Sequence, residues 1–301
     1  MINWKLSTND TAHFEIKEDI DAAALSTYKG GGIIKHLAYP RDLADFCLLS
    51  AYAAQKELPY VFMGRLSNTL VSDRGFNGLG IKSDRLNYIR ADGTELTLGA
   101  GVSIDKLTEV CLMHSLSGIE SLAGIPASIG GAVYMNAGAY NCVIGDRVSE
   151  AVCFDMNNAD IKVYSQSELS FAYRKSCFKE SEMILLVKLK LEKGEAKSIR
   201  DKVEQTKAKR RAAHPDKPSL GCAFKRAAGE GSGRLIDMLG LKGTRVGGAM
   251  ISYEHAGFIV NTGVGTASDY IELMGLVQSK VLQAYGIELQ REIKIIGDIS
   301  V

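Results

Sequence analysis

The chain has 301 residues, 46% of them hydrophobic and 24% charged, the balance of a folded globular protein with room for two or three domains. A net charge of +1 excludes a general electrostatic pull toward nucleic acid or membrane, so an anionic ligand must be met by a local basic site. No apolar run approaches the ~20 residues that span a bilayer, and the mixed N-terminus lacks a signal-type apolar core.

In chain order, VFMGR (61–65) reads as a short apolar strand and LSNTLVSDRGFNG (66–78) as a polar turn. ELTLGAG (95–101) reads as a strand and SIDKLTEVCLMHSL (103–116) as a helix. Ser103 is its N-cap, and Ile104, Leu107 and Cys111 share one face. EAVCFD, IKVYS and MILLVKLKLEKG, between 150 and 194, suggest three adjacent strands. A highly charged helical stretch follows from Glu195 to Arg211, with seven Lys or Arg residues; a domain boundary is expected near Gly194. GSGRLIDMLGLKG then reads as a short helix ended by Gly. SDYIELMGLVQSKVLQAYG reads as an amphipathic helix with Ile271, Met274, Val277, Val281 and Tyr285 on its apolar side. EIKIIGDI closes as a strand, so the pattern is of α+β type.

The six dispersed cysteines, none in a CxxC pair, point to a reducing cytosol. Five scattered histidines have no metal-ligand spacing, so no metal is expected. The segment Ser117–Ala139, SGIESLAGIPASIGGAVYMNAGA, concentrates glycine with small Ala and Ser. It admits two readings: a loop whose N–H groups converge on a diphosphate, or a tight turn between layers. GRLSN at Gly64–Asn68 follows a strand and supplies Ser and Asn donors. LGAGVSI at Leu98–Ile104 begins like a dinucleotide fingerprint, but Ile104 stands where the third glycine belongs, so it reads as structural. FAYRKSCFK contains Arg174, either an ordinary surface cation or a bidentate carboxylate ligand. PSLGCAFKR contains Cys222, either a small buried hydrophobe or a proton donor. Glu292 stands at the start of the closing strand. The basic 195–211 stretch has no interleaved aromatics, which disfavours single-stranded nucleic acid.

Together GRLSN, SGIESLAGIPASIGGAVYMNAGAY, YRKSCFK, GCAFK, HAGFIVN and LQRE resemble, in order, the signatures of the UDP-N-acetylenolpyruvoylglucosamine reductase (MurB) family, over residues 26–298. The resemblance implies an α+β fold: an FAD-binding domain of the vanillyl-alcohol-oxidase (PCMH) type in two subdomains, 1–85 and 86–194, then a smaller substrate domain at 195–301. With Lys179 followed at once by a strand, the chain looks like the shorter form of the family. The resemblance further implies non-covalent FAD, NADPH as hydride donor and UDP-N-acetylglucosamine enolpyruvate as substrate, in peptidoglycan precursor synthesis in the cytoplasm, with no nucleic-acid or membrane partner. The residues it assigns to FAD are Gly64, Arg65, Leu66, Ser67, Asn68, Gly124, Ile125, Pro126, Ala127, Gly130, Gly131, Ala132, Asn136, Gly138 and Ala139. Tyr173, Lys225, Arg226 and His255 would bind substrate. Arg174 and Glu292 would stabilise and help protonate the enolate, and Cys222 would donate the last proton.

Four places depart from the family pattern, one of them Arg226-Ala227, where the family often has a residue followed by Pro. Cys222 replaces a serine, Leu66 the last glycine of a GxG, and Ala127 the glycine of GIPG. A flavin oxidase or dehydrogenase of the same fold, or a nucleotide-sugar-binding paralogue without turnover, are the competing readings; Cys222 is the best support for the second.

Overall fold

A computed structural model describes residues 15–227 and 229–298. The chain forms two compact units. The first is built from His36–Gly64 and Gly78–Lys207 with the described residues up to Glu18; the second is built from Asp19–Lys35, Arg65–Asn77 and the described part of Ala208–Val301. Each has its own apolar core.

The first unit is organised by a five-stranded sheet in which Val148–Asp155 lies between Asp160–Ser165 and Glu182–Lys190, followed by Glu95–Gly99 and Ile89–Asp92. All its pairings are antiparallel. The three expected strands are therefore neighbours, with Val148–Asp155 central. MILLVKLKLEKG is not one strand: pairing with Glu95–Gly99 ends at Lys190, and Glu192–Lys193 turns to pair with Leu116–Ser117. The outer strand exposes Ile161 and Val163, and Lys162 pins it inward, its Nζ 2.7 Å from both Asp155 and Glu182. The helix Ile104–His114 starts where Ser103 accepts from the Lys106 N–H. It buries Ile104, Leu107, Val110 and Cys111, the expected face.

In the second unit a four-stranded antiparallel sheet runs Ser219–Cys222, Phe258–Asn261, Ala249–Ile251, Arg245–Val246. The helix Ala267–Tyr285 has a capping box from Thr266 and Asp269 and ends at Gly286 in the left-handed region, the arrangement that satisfies terminal N–H and C=O groups. Its buried side is Tyr270, Leu273, Met274, Val277 and Val281; the expected stripe was rotated slightly, and Ile271 and Tyr285 are half-buried. The helix Ser232–Met238 is followed, as expected, by a left-handed glycine, Gly240.

The stretch 66–78 is not a plain polar turn. Thr69–Val71 is a strand paired in parallel with Lys294–Ile296, and Phe76 opens the strand Phe76–Lys82. Three residues are too few for periodicity to register, and the partner lies more than 200 residues away. The closing strand is correspondingly shorter than expected, beginning at Lys294. Asp73, in the same stretch, accepts from the N–H groups of Ala267 and Ser268 at 2.8 and 2.7 Å and from the Ser268 hydroxyl. It thus fixes this stretch to the positive end of the long helix. Asp73→Ala should lower stability by about 1 kcal/mol. Thermal denaturation with and without the substitution measures this, and an unchanged midpoint would show the cap to be idle.

Candidate active site

In the first unit the glycine-rich segment is seated on the Leu98–Ile104 turn by backbone alone. Ile104 N–H donates to Ala127 O, Ile129 N–H to Val102 O and Gly130 N–H to Ala100 O, all within 3.0 Å. A side chain at Gly130 would meet the Ala100 Cβ at 2.8 Å, and one at Gly101 would meet the Ser83 carbonyl. The fingerprint-like turn is therefore structural, as read from its missing glycine. Ser128 caps the helix Ile129–Tyr134 by accepting from the Gly131 N–H. Its Oγ would lie 2.6 Å from a Cβ at Gly64, so the end of the Tyr60–Met63 strand must be bare backbone at this point. Gly124 has φ +78° and is exposed; Ile125 and Ala127 are half-buried and Pro126 is exposed. This bare backbone beside Gly64, together with the buried and unbonded Ser83 Oγ, fits a diphosphate-bearing cofactor such as FAD.

Asn136, expected at the cofactor, is 5% exposed. Its amide accepts from the Gly145 N–H at 3.1 Å and donates to Ala172 O at 2.9 Å. It acts on the segment that carries Arg174. There Ala172 and Lys175 exchange two backbone hydrogen bonds around a two-residue turn, with Arg174 in the left-handed region at φ 54°. Ser176 Oγ donates to Tyr134 O at 2.6 Å, fastening the other arm to the short helix. The Arg174 guanidinium lies over the Tyr173 ring at 5.6 Å and donates to Gly138 O at 3.4 Å. The structure thus joins Tyr173, Arg174, Asn136 and Gly138. Ser128 and Ser176 were missed in the sequence; Ser128, just before a helical run, carried the N-cap signal.

In the second unit Cys222 ends its strand opposite Phe258, past an irregularity at Gly221, whose φ is 76°. It is half-buried and forms no disulfide. Glu292 is not at the strand start but two residues before it. Its N–H donates to Ala223 O at 2.9 Å and its carbonyl accepts from the Asn68 side-chain amide at 3.2 Å. Lys225 N–H donates to Gln290 O. One backbone weave therefore joins Asn68, Ala223 next to Cys222, Lys225 and Glu292, whereas Arg65 and Arg226 are exposed. His255 accepts from the Gly257 N–H at its Nδ1, 3.0 Å away, which leaves the proton of a neutral ring on Nε2. Its ring contacts His214 and Phe258. Asn261, in the same HAGFIVN segment, donates to Tyr28 O, Lys29 O and Gly265 O and accepts from Gly263 N–H and Gly265 N–H.

A family model for the UDP-N-acetylenolpyruvoylglucosamine reductase C-terminal domain matches residues 214–296, and one for an FAD-binding domain matches 34–159. The chain is 38% identical to the UDP-N-acetylenolpyruvoylglucosamine reductase of Caldanaerobacter subterraneus over 91% of both chains. It is also 38% identical to that of Latilactobacillus sakei over 99% of this chain and 98% of the relative. The chain belongs to the UDP-N-acetylenolpyruvoylglucosamine reductase family. The crystal structure of the Thermus caldophilus reductase superposes with a TM-score of 0.81 at 32% identity, covering 94% of this chain and 100% of that one.

Within this family the two loop departures differ physically. Leu66 adopts φ 48° and is 3% exposed. A glycine there would be unstrained, and the leucine offsets about 1–2 kcal/mol of left-handed strain with its buried side chain. Ala127 is not in the left-handed region, so its Cβ adds no backbone strain.

The His pair gives the site a pH dependence. Burial, then Arg210 and His255, push the His214 imidazole down to about 4 from the ordinary 6.5. The unfolded chain then takes up this proton first, so stability falls as pH drops from about 6.5 toward 4. His214→Phe should narrow the loss in melting temperature between pH ~7 and ~4.5 relative to the parent; an equal loss in both would show that His214 does not contribute.

Proposed function

We infer that the chain reduces UDP-N-acetylglucosamine enolpyruvate to UDP-N-acetylmuramate with NADPH and non-covalently bound FAD, a step of peptidoglycan precursor synthesis. The observation that carries this reading is family membership over nearly the whole chain, joined to a bare glycine backbone next to Ser128 that fits the cofactor. The FAD-binding match at 34–159 and the C-terminal match at 214–296 support an FAD-binding part ahead of a substrate part, which we divide into FAD subdomains 1–85 and 86–194 of vanillyl-alcohol-oxidase type and a substrate domain 195–301. The reaction is placed in the cytoplasm, without nucleic-acid or membrane partners; the near-neutral charge supports this, and no described helix is long and apolar enough to cross a membrane.

Bound FAD supplies hydride transfer from NADPH to the terminal vinyl carbon. The remaining work is electrostatic and protonic. Arg174, always cationic and held on a tight turn, stabilises negative charge as it develops on the carboxylate side. Glu292, its backbone fixed on both sides, polarises or helps to protonate the enol. Cys222 delivers a proton to the carbon next to the carboxylate; a thiol is a stronger acid than the family's serine hydroxyl. Lys225, Arg226, Tyr173 and His255 bind the nucleotide sugar, and Gly64 to Asn68, Gly124 to Ala127, Gly130 to Ala132, Gly138 and Ala139 hold the cofactor.

The purified protein should be yellow, lose its visible flavin band on anaerobic addition of NADPH, and regain it with the enolpyruvyl substrate. A protein that neither carries nor takes up FAD overturns the reading. Arg174→Met and Glu292→Gln should leave the bleaching by NADPH intact and slow its reversal by substrate roughly 10²-fold or more. Parental reversal in both would remove them from the mechanism. Cys222→Ser should retain substantial turnover while Cys222→Ala stalls after bleaching, and peroxide should inactivate the parent faster than the Ser variant. Near-parental turnover of Cys222→Ala would assign the proton to another donor.

A further inference from the structure

Lys82 ends the Phe76–Lys82 strand yet is only 4% exposed. Parallel pairing sets it beside Met63, and its Nζ reaches one residue further along the partner strand to donate to the Gly64 carbonyl at 2.8 Å. The Asp84 carboxylate, half exposed, stands 3.4 Å away. Burying an ammonium is unfavourable even where it is bonded, and an apolar chain of similar volume commonly serves a fold as well or better. Packing therefore does not account for a lysine here. The carbonyl it holds belongs to the residue that must be bare, because a Cβ on Gly64 would strike Ser128 Oγ. Next to Lys82, Ser83 carries the buried hydroxyl without a hydrogen-bond partner, and its carbonyl lies against Gly101, beneath the glycine-rich segment.

The C=O and N–H of one planar peptide point in opposite directions. An ammonium on the Gly64 carbonyl therefore fixes the direction of the following N–H and, by polarising the peptide, strengthens it as a donor. We propose that Lys82 is a positioning residue for FAD: its buried ammonium, held on the Gly64 carbonyl, aims and polarises the peptide that meets an anionic group of the cofactor. This rests on the flavoenzyme reading and adds a residue outside the loops themselves.

The test uses the full-length holoprotein, in which free FAD is followed by its fluorescence on dilution and melting is compared with FAD bound and stripped. Lys82→Met should raise the FAD dissociation constant about tenfold or more, the scale of a charge-assisted hydrogen bond. The stripped Lys82→Met protein should melt at or above the parent, because a buried charge has been replaced by an apolar chain. Lys82→Gln keeps a donor without the charge and should bind FAD nearly as weakly as Lys82→Met. Parental FAD affinity in Lys82→Met overturns the proposal. So does a lower melting point of both stripped variants, which would make Lys82 a support of the fold. A parent that binds no FAD would instead overturn the flavoenzyme reading itself.

Discussion

The first unit depends on one backbone-to-backbone seat, Ala127–Gly130 against Ala100–Ile104. Three main-chain hydrogen bonds hold it, and it closes because Gly130 has no side chain to push against Ala100, while the bare Gly101 lets the same turn pack on the Ser83 carbonyl. From that seat Ser128 is placed to cap its helix and to meet the Gly64 backbone. At the end of the same helix the Tyr134 carbonyl accepts from Ser176 Oγ, and just past it the Asn136 amide donates to the Ala172 carbonyl. The turn that presents Arg174 is therefore referenced, through two short hydrogen bonds, to the same backbone that would cradle the cofactor. An added methyl group at Gly130 would meet Ala100 and disturb both at once.

The second unit reaches comparable definition by a different route. Its chemical side chains stand on irregular backbone, and the polar groups of that backbone are satisfied by amides from remote segments. Asn68 takes the Glu292 carbonyl, and Asn261 takes three carbonyls and two N–H groups around Tyr28, Lys29 and Gly265. An asparagine suits this work because one planar group offers donors and acceptors together. These contacts leave Cys222 and Glu292 on adjoining stretches of chain, joined by the Glu292–Ala223 bond.

Much of this was legible in the sequence where a signal is local. The 103–116 and 267–285 helices announced themselves by caps and apolar spacing, and the sheet strands from 148 to 190 by their runs of apolar residues. The structural nature of LGAGVSI followed from a single missing glycine. What escaped were features whose cause lies far along the chain. Thr69–Val71 becomes a strand only against Lys294–Ile296, Glu292 is set by Ala223 and Asn68, and Asn136 looks inward because Ala172 and Gly145 come to it. Leu66 was visible as a departure, but only the backbone reveals that its position is left-handed, which explains why a glycine suits it. Cys222 was readable by its place in a motif, whereas its half-buried setting was not.

The second unit draws its segments from both ends of the chain, and this bears on how the protein is made. During synthesis the loop at Asn68 leaves the ribosome more than 200 residues before Glu292 and Lys294 exist. Thr69–Val71 must likewise wait, as an unpaired strand edge, for the closing strand. The first unit can gather most of its contacts from His36 to Lys207 while the second is still missing its sheet. Folding of the second unit thus waits until Glu292 to Ile296 have been made, and its nascent segments spend that interval as exposed edges of the kind that chaperones shield. A ribosome that stops before Glu292 would release a chain whose early loop never meets its partner.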